Sequence, residues 1–167
     1  MARTRRSIAG SERPARTTRQ RLGEYGEEHV RRTVSCPRCK RSRTFRRLPN
    51  NFRCADLICD FCGFVAQVKT AKARDTATPI GTYLGAAWGP QKERMDAGIF
   101  TSLYIVQCDQ AQPLCASYTA VFFLPAEAQE SDMFIPRQPL SETARRAGWR
   151  SFRIDVSKYT ERLIRLA

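Results

Sequence analysis

Apolar and polar positions along the chain predict a mixed arrangement of helices and strands. In residues 22–34, Leu22, Tyr25 and His29 fall at near-helical spacing, with Arg32 continuing the row, so a short helix is expected there. Two later runs, FTSLYIVQC and YTAVFFLPA, are rich in β-branched and aromatic residues and predict the central strands of a sheet. The run RSFRIDV predicts a final strand.

Residues 49–70 predict a β-hairpin. Pro49 and the two asparagines after it mark a turn before an extended run that ends at Cys59. The short sequence CDFCG closes the hairpin, and FVAQVKT alternates its side chains as the return strand.

The connecting segments are less regular. TATPIGT predicts a loop, and YLGAAWGPQKERMDAG predicts a weak helix interrupted at Gly89 and Pro90. In PLSETARRAGW, Ser141 is a suitable N-cap and Gly148 a suitable terminator, so a short helix is expected there. The pattern as a whole indicates a mixed α and β fold without internal repeats.

Length and composition predict one folded domain. A chain of 167 residues with 42% hydrophobic residues is long enough for one core. Residues 1–21 have no apolar periodicity and predict a basic, disordered arm, which leaves 22–167 as the folded domain. No apolar run approaches the ~18 residues of a membrane span, and the arginine-rich start lacks the apolar core of a secretory signal. A cytoplasmic, nucleoid-associated protein without a membrane partner is expected.

The charge predicts a polyanionic partner. The formal net charge is +13, of which residues 1–22 supply +6 from seven arginines and Glu12, which leaves +7 on the remainder. Lysines and arginines that neutralise phosphates release counterions and so bind nucleic acid irrespective of its sequence. Contact with a ribosome or a membrane surface would require the same charge, so the charge alone indicates only the class of partner.

Four cysteines have the spacing of a zinc site. The pairs Cys36–Cys39 and Cys59–Cys62 are each Cys-x-x-Cys, and the 19 residues between them fall within the usual window for two zinc knuckles. With four thiolates the shell is closed, which predicts a structural zinc ion rather than a catalytic one. The alternative is that the cysteines pack as small apolar side chains.

The remaining cysteines and the nearby basic residues have less specific interpretations. Cys54, Cys108 and Cys115 are expected to be buried apolar residues. A zinc ion with four thiolates has a formal charge of −2, and the basic residues beside the first knuckle either offset that charge or face phosphate. These residues are Arg38, Lys40, Arg41 and Arg43.

A candidate catalytic group lies on the predicted hairpin. Asp56 precedes the second knuckle, and Gln67 and Lys69 are two apart on the return strand, so they point to one face. Asp56, the Gln67 side-chain oxygen and the Val68 carbonyl are oxygen ligands of the kind Mg²⁺ prefers, and Lys69 can orient or deprotonate water. The alternative is that these residues form a solvated strand face without a catalytic role, because the pattern Asp-x₁₀-Gln-x-Lys is loose.

Three stretches resemble the catalytic domain of the DpnI-type restriction endonucleases, which cut adenine-methylated DNA. They are CPRC, NNFRCADLICDFCGFVAQVKT and RQPLSETARRAGWRSFRIDVS, and the resemblance covers residues 22–158. It implies an α/β (α+β) fold of the PD-(D/E)xK type, a mixed sheet flanked by helices with an inserted four-cysteine zinc site. The chain leaves no room for the winged-helix domain of that enzyme, so specificity is expected from the nuclease domain, the basic arm or a partner.

The resemblance also implies roles for single residues. Asp56 matches the metal-binding aspartate, Lys69 the lysine, and Gln67 stands where the acidic residue is usual. Either Glu27 or Glu28 resembles an accessory acidic residue, the alternative being an exposed helix face. A third group, Arg145, Arg146 and Trp149, could contact DNA or could cap a helix and pack in the core.

The sequence therefore predicts a Mg²⁺-dependent endonuclease with structural zinc. Its expected partner is double-stranded DNA, with N6-methyladenine DNA as a candidate substrate; no oligomeric state is assigned. The main alternative is a catalytically weakened or inactive zinc-stabilised DNA-binding module, because the neutral amide of Gln67 binds Mg²⁺ more weakly than a carboxylate. A nuclease with a histidine base fits less well, since the single histidine, His29, precedes the zinc segment.

Overall fold

A computed structural model describes residues 17–49, 52–75, 77–109, 119–138 and 150–167. Within these ranges the chain forms two α-helices and nine strands. The basic arm up to residue 16, the helix expected in PLSETARRAGW, Cys115 and the candidate DNA contacts Arg145, Arg146 and Trp149 lie outside the described residues.

The first helix, α1, spans Thr18–Thr33 and begins four residues before the predicted start. Its start is a capping box, in which the Thr17 hydroxyl accepts from the Gln20 N–H at 3.2 Å and the Gln20 side chain accepts from the Thr17 N–H at 2.8 Å. The buried residues of α1 are Gly26 and Val30. The predicted helix is confirmed. Tyr25 packs against the same core as Val30, whereas the Arg32 side chain is 70% exposed.

The strands form a six-stranded mixed sheet and a three-stranded antiparallel sheet. The larger sheet has the order β1-β2-β3-β5-β6-β9, and β3 and β5 are its parallel pair. The smaller sheet has the order β4-β8-β7. The strands are β1 Phe45–Arg47, β2 Leu57–Cys59, β3 Val65–Lys72, β4 Thr82–Gly85, β5 Ser102–Cys108, β6 Thr119–Leu124, β7 Phe134–Pro136, β8 Phe152–Asp155 and β9 Ile164–Arg165.

The larger sheet lies between two hydrophobic cores. All seven residues of β5 are buried, with Tyr104 and Val106 in the core beneath α1 and Leu103 and Ile105 in the core beneath the smaller sheet. The prediction that the FTSLYIVQC and YTAVFFLPA runs form central strands is confirmed for the described residues of both. The predicted fold class, a mixed sheet in an α+β fold of the restriction-endonuclease type, is also confirmed.

Several local expectations are wrong. Residues 82–85 form β4 rather than the start of a helix, because Tyr83 packs into the second core against β8. The second helix, α2, spans Trp88–Asp96, so Gly89 and Pro90 lie in its first turn, where proline is tolerated, and do not interrupt it. Among the described residues, neither helix is long and apolar enough to cross a bilayer.

Gly26 sets the distance between α1 and the sheet. A Cβ atom built at this position would lie 1.9 Å from the Thr70 hydroxyl oxygen and 3.0 Å from the Thr70 Cβ on β3. The contact involves the base of the Thr70 side chain, so rotation of that side chain alone does not relieve it. The close approach also brings Glu27, the next residue along α1, to the end of the sheet.

Gly26→Ala is expected to destabilise the fold by about 1–3 kcal/mol, the usual cost of overpacking a close interface. Gly23→Ala is the matched control, since its Cβ would meet no atom within 4 Å, and it should stabilise the same helix by about 0.5–1 kcal/mol. Urea unfolding of both variants measures the difference. Equal stability of the two variants would contradict this account of the helix position.

Candidate active site and metal centre

The four predicted zinc ligands come together between the first loop and the hairpin. The Cys36 and Cys62 sulfurs are 3.6 Å apart, the Cys39 and Cys59 sulfurs are 3.7 Å apart, and all four lie within 4.8 Å of one another. Zinc with Zn–S bonds of about 2.3 Å in a regular tetrahedron separates its sulfurs by about 3.8 Å. A disulfide would need about 2 Å. The arrangement therefore fits a tetrahedral metal ion.

Hydrogen-bond donors surround the cysteine cluster. The Cys59 sulfur lies 3.2 Å from the Thr44 hydroxyl oxygen. Burial raises the pKa of Cys59, but its hydrogen bond with the Thr44 hydroxyl and those from the backbone N–H groups of Cys62 and Phe61 outweigh burial and lower this pKa to about 6. Burial raises the pKa of Cys36 to about 12, so this thiol needs a bound cation to stay ionised at neutral pH. Thiolates are the form that binds zinc, so the donor set matches the predicted ion.

The second knuckle closes the hairpin of β2 and β3. The Cys59 N–H donates to the Phe64 carbonyl at 2.7 Å, and the Gly63 N–H donates to the Cys59 carbonyl at 2.9 Å. Gly63 has φ +73°, a left-handed conformation that costs glycine little. A metal ion at this turn would fix the two strands that carry the candidate catalytic residues.

The Asp56 side chain lies against the backbone of β3, and Asp56 also lines a cleft. Its Oδ2 accepts a hydrogen bond from the Val68 N–H at 2.7 Å, and its own N–H donates to the Ala66 carbonyl at 2.9 Å. The two contacts place Asp56 beside the Gln67–Lys69 segment. Within the described residues the Gln67 side chain makes no hydrogen bond, so its amide oxygen is available to a ligand.

Lys69 lies in the same region and is partly buried. Burial lowers its pKa, while the neighbouring charges of Asp56, Cys54 and Glu27 act in the opposite direction. The predicted lysine and aspartate therefore lie close enough for their charges to interact. The prediction that Cys54 is buried is wrong. Cys54 is partly exposed, has φ +62°, and lies near Lys69 and Arg94.

The structure distinguishes the two candidate accessory acids. Glu27 and Asp56 both line a cleft of about 330 Å³. Burial raises the pKa of Glu27, the Arg47 guanidinium lowers it, and the Asp56 carboxylate raises it again. The Asp56 carboxylate thus disfavours the ionised form of Glu27, and a cation bound between the two carboxylates would relieve this repulsion.

Glu28 lies on another part of α1. It forms ion pairs with Arg31, at 2.6 Å, and with Arg32. The hydrogen bond from Arg31, assisted by Arg32, lowers the pKa of Glu28 to about 2. This is the exposed helix face that the sequence left as the alternative, so Glu27 is the candidate that reaches the cleft.

Arg47 is a cleft residue that sequence reasoning missed. Its Nε and one terminal nitrogen both lie 2.7 Å from Glu27 Oε2, which leaves Oε1 without that contact. The pairing depends on β1 lying beside α1, and no local signal in a basic stretch indicates it. Gln20 also lines the cleft; its position could have been anticipated from the capping-box spacing Thr17-x-x-Gln20.

The fold and the site together define a protein of the restriction-endonuclease-like class. A helix precedes an antiparallel hairpin that carries aspartate and lysine, and a parallel strand follows beside it.

The chain belongs to the family described as DpnI: Dam-replacing family, whose model matches residues 11–163, nearly the whole chain. This membership confirms the resemblance seen in the sequence. It identifies DNA as the partner and a restriction-type function related to DNA modification. A search of curated proteins found no match to the chain.

Proposed function

We propose that this protein is a Mg²⁺-dependent DNA endonuclease of the DpnI-like restriction type, directed to N6-methyladenine DNA. The observation that carries the proposal is the contact between Asp56 and the Val68 N–H, which holds a carboxylate beside the Gln67–Lys69 segment. Family membership supports DNA as the substrate. Asp56 and Lys69 are the residues on which we expect the hydrolysis to depend most.

The carboxylates of the cleft, together with the neighbouring Gln67–Lys69 segment that does not itself line it, suit phosphodiester hydrolysis. Bound Mg²⁺ would supply positive charge at the scissile phosphate. Asp56 and Glu27 offer carboxylate oxygens to it, and the Gln67 amide oxygen or the Val68 carbonyl offers another. Lys69 would hold the attacking water by a hydrogen bond. Burial lowers the pKa of Lys69, so its neutral amine is more accessible than that of an exposed lysine.

The cysteine cluster is proposed to hold structural zinc. Its four sulfurs occupy the whole tetrahedral shell, so no position is left for a reacting water. Cys36 and Cys59 are fully buried in the same core as Val30 and Phe45. We therefore assign these ligands to folding and to the shape of the hairpin, not to the reaction.

One observation favours a second candidate function, a zinc-stabilised DNA-binding module that does not cut. Gln67 replaces an acidic ligand, and an amide contributes no charge to a metal site. Glu27 is the compensating group in the endonuclease proposal, because it supplies a second carboxylate to the cleft from α1.

The proposal is tested by incubating zinc-loaded protein with Mg²⁺ and matched plasmids that are adenine-methylated or unmethylated. We expect cleavage of the methylated plasmid only. Equal cleavage of both plasmids would retain the nuclease and overturn the methyl-directed part. No cleavage by folded protein in Mg²⁺ or Mn²⁺, with DNA binding intact, would support the binding module instead.

A further inference from the structure

The loop that carries the first knuckle has more exposed cations than the charge of the zinc site requires for neutralisation. Arg38, Lys40, Arg41 and Arg43 are all exposed. None of the four has a carboxylate partner within the described parts of the chain, whereas Arg46 pairs with Asp60 at 2.8 Å. A zinc ion with four thiolates would carry a charge of −2. The cations outnumber that charge, so this loop presents net positive charge to solvent.

An aromatic side chain projects from the second knuckle beside these cations. Phe61 is 56% exposed, and the Arg41 guanidinium carbon lies 3.7 Å from its ring centroid. The contact joins the two knuckles and holds the ring in a fixed orientation. The knuckles therefore present an exposed aromatic ring within a basic surface.

We propose that this surface, the zinc-knuckle surface of Arg38, Lys40, Arg41, Arg43 and Phe61, binds duplex DNA next to the cleavage cleft. The cations would contact phosphates, and the Phe61 ring, supported by Arg41, would stack against a base step. In a duplex the base faces are already stacked, so the ring would insert at a base step as an apolar wedge, with local unstacking and without contacts to base edges. The surface thus supplies affinity without sequence readout. The inference rests on the proposed function for the position of the DNA.

The spacing suits one continuous DNA molecule. Phe61 is five positions after Asp56, so an extended chain places their Cα atoms no more than about 18 Å apart. At 3.4 Å per base pair this distance is roughly five base pairs. Phe61 is therefore expected to contact DNA within about half a helical turn of the phosphate at Asp56.

Fluorescence anisotropy with a labelled duplex, in Ca²⁺ without Mg²⁺, separates the two kinds of contact. Phe61→Ala is expected to weaken binding roughly 5-fold or more with an unchanged salt dependence, because it removes a stacking contact. Arg43→Ala should reduce the slope of log K against log salt by about 0.9, because it removes one phosphate contact. Arg41→Lys keeps the charge but loses the planar stack, so it should weaken binding at an unchanged slope.

Matched controls come from surfaces away from the knuckles. Leu84→Ala removes another exposed apolar side chain, on β4, and Lys158→Ala removes another exposed cation; both should bind DNA like the wild type. Phe61→Trp keeps an aromatic ring and should bind DNA like the wild type. The tryptophan fluorescence of this variant should change when DNA is added. Zinc content of one ion per chain shows that each variant is folded.

Two results distinguish this inference from the proposed function. Wild-type affinity in zinc-loaded Phe61→Ala and Arg41→Lys, together with a wild-type salt slope in Arg43→Ala, would overturn the zinc-knuckle surface, even if the plasmid is still cut. Phe61-dependent binding by a wild-type protein that never cuts would support the surface and overturn the nuclease. Absence of DNA binding by the wild type would overturn both.

Discussion

Removal of zinc is expected to unfold this protein. Structural zinc contributes about 10–16 kcal/mol of apparent binding free energy at neutral pH, as much as or more than the ~5–15 kcal/mol that stabilises a typical domain. The consequence reaches beyond the two knuckles. Cys36 and Cys59 are fully buried beside Phe45 and Leu57, so loss of the ion would leave four unpaired thiols at the edge of the core beneath α1.

Circular dichroism during titration with a zinc chelator measures this effect, and Cys36→Ser should reproduce it without chelator. Cys54→Ser is the matched control, because Cys54 lies outside the cysteine cluster. It should keep one zinc ion per chain and the wild-type melting temperature. A zinc-free protein that melts cooperatively at the wild-type temperature would contradict a structural role for the cluster.

Replacement of Asp56 or Lys69 by alanine is expected to reduce the rate of DNA cleavage by at least about 100-fold, the lower end of the effect of a positioned catalytic group. Asp56→Ala removes a metal-binding carboxylate and leaves the Val68 N–H without its acceptor. Lys69→Ala removes the group that holds the attacking water. Neither change touches a zinc ligand, so zinc content should stay at one per chain.

A charge-restoring variant tests the same site in the opposite direction. Gln67→Glu adds a carboxylate beside Asp56, and it should lower the Mg²⁺ concentration needed for half-maximal cleavage. Glu28→Ala is the control on α1, since Glu28 pairs with Arg31 and Arg32 outside the cleft. Full cleavage activity in folded Asp56→Ala would disprove the assignment of the cleft.

Some features of this protein follow from short-range sequence patterns. The four-cysteine cluster was predictable because each Cys-x-x-Cys pair fixes its own geometry within a single turn, and sulfurs of the two pairs lie 3.6 and 3.7 Å apart. The core strands were predictable because continuous apolar runs have no other place to be buried. Asp56 and Lys69 were candidates from their positions on either side of the second knuckle.

Other features depend on contacts between distant segments. The smaller sheet pairs Tyr83 with Ile154, and strands of three or four residues carry too little local pattern to predict such a pairing. Gln107 looks like a polar exception within β5. It is buried because its amide receives hydrogen bonds from the Ile80 N–H at 2.6 Å and the Tyr83 hydroxyl at 2.8 Å.

The cleft contains residues that the sequence identified and residues that only the tertiary structure identifies. By itself, the sequence determined the four-cysteine cluster, the central strands and two candidate catalytic residues, because each is defined by its neighbours along the chain. It could not choose between Glu27 and Glu28, which are adjacent on one helix. Only the tertiary structure separates their positions: Glu27 pairs with Arg47 on β1 and lines the same cleft as Asp56, whereas Glu28 pairs with Arg31 and Arg32 on α1.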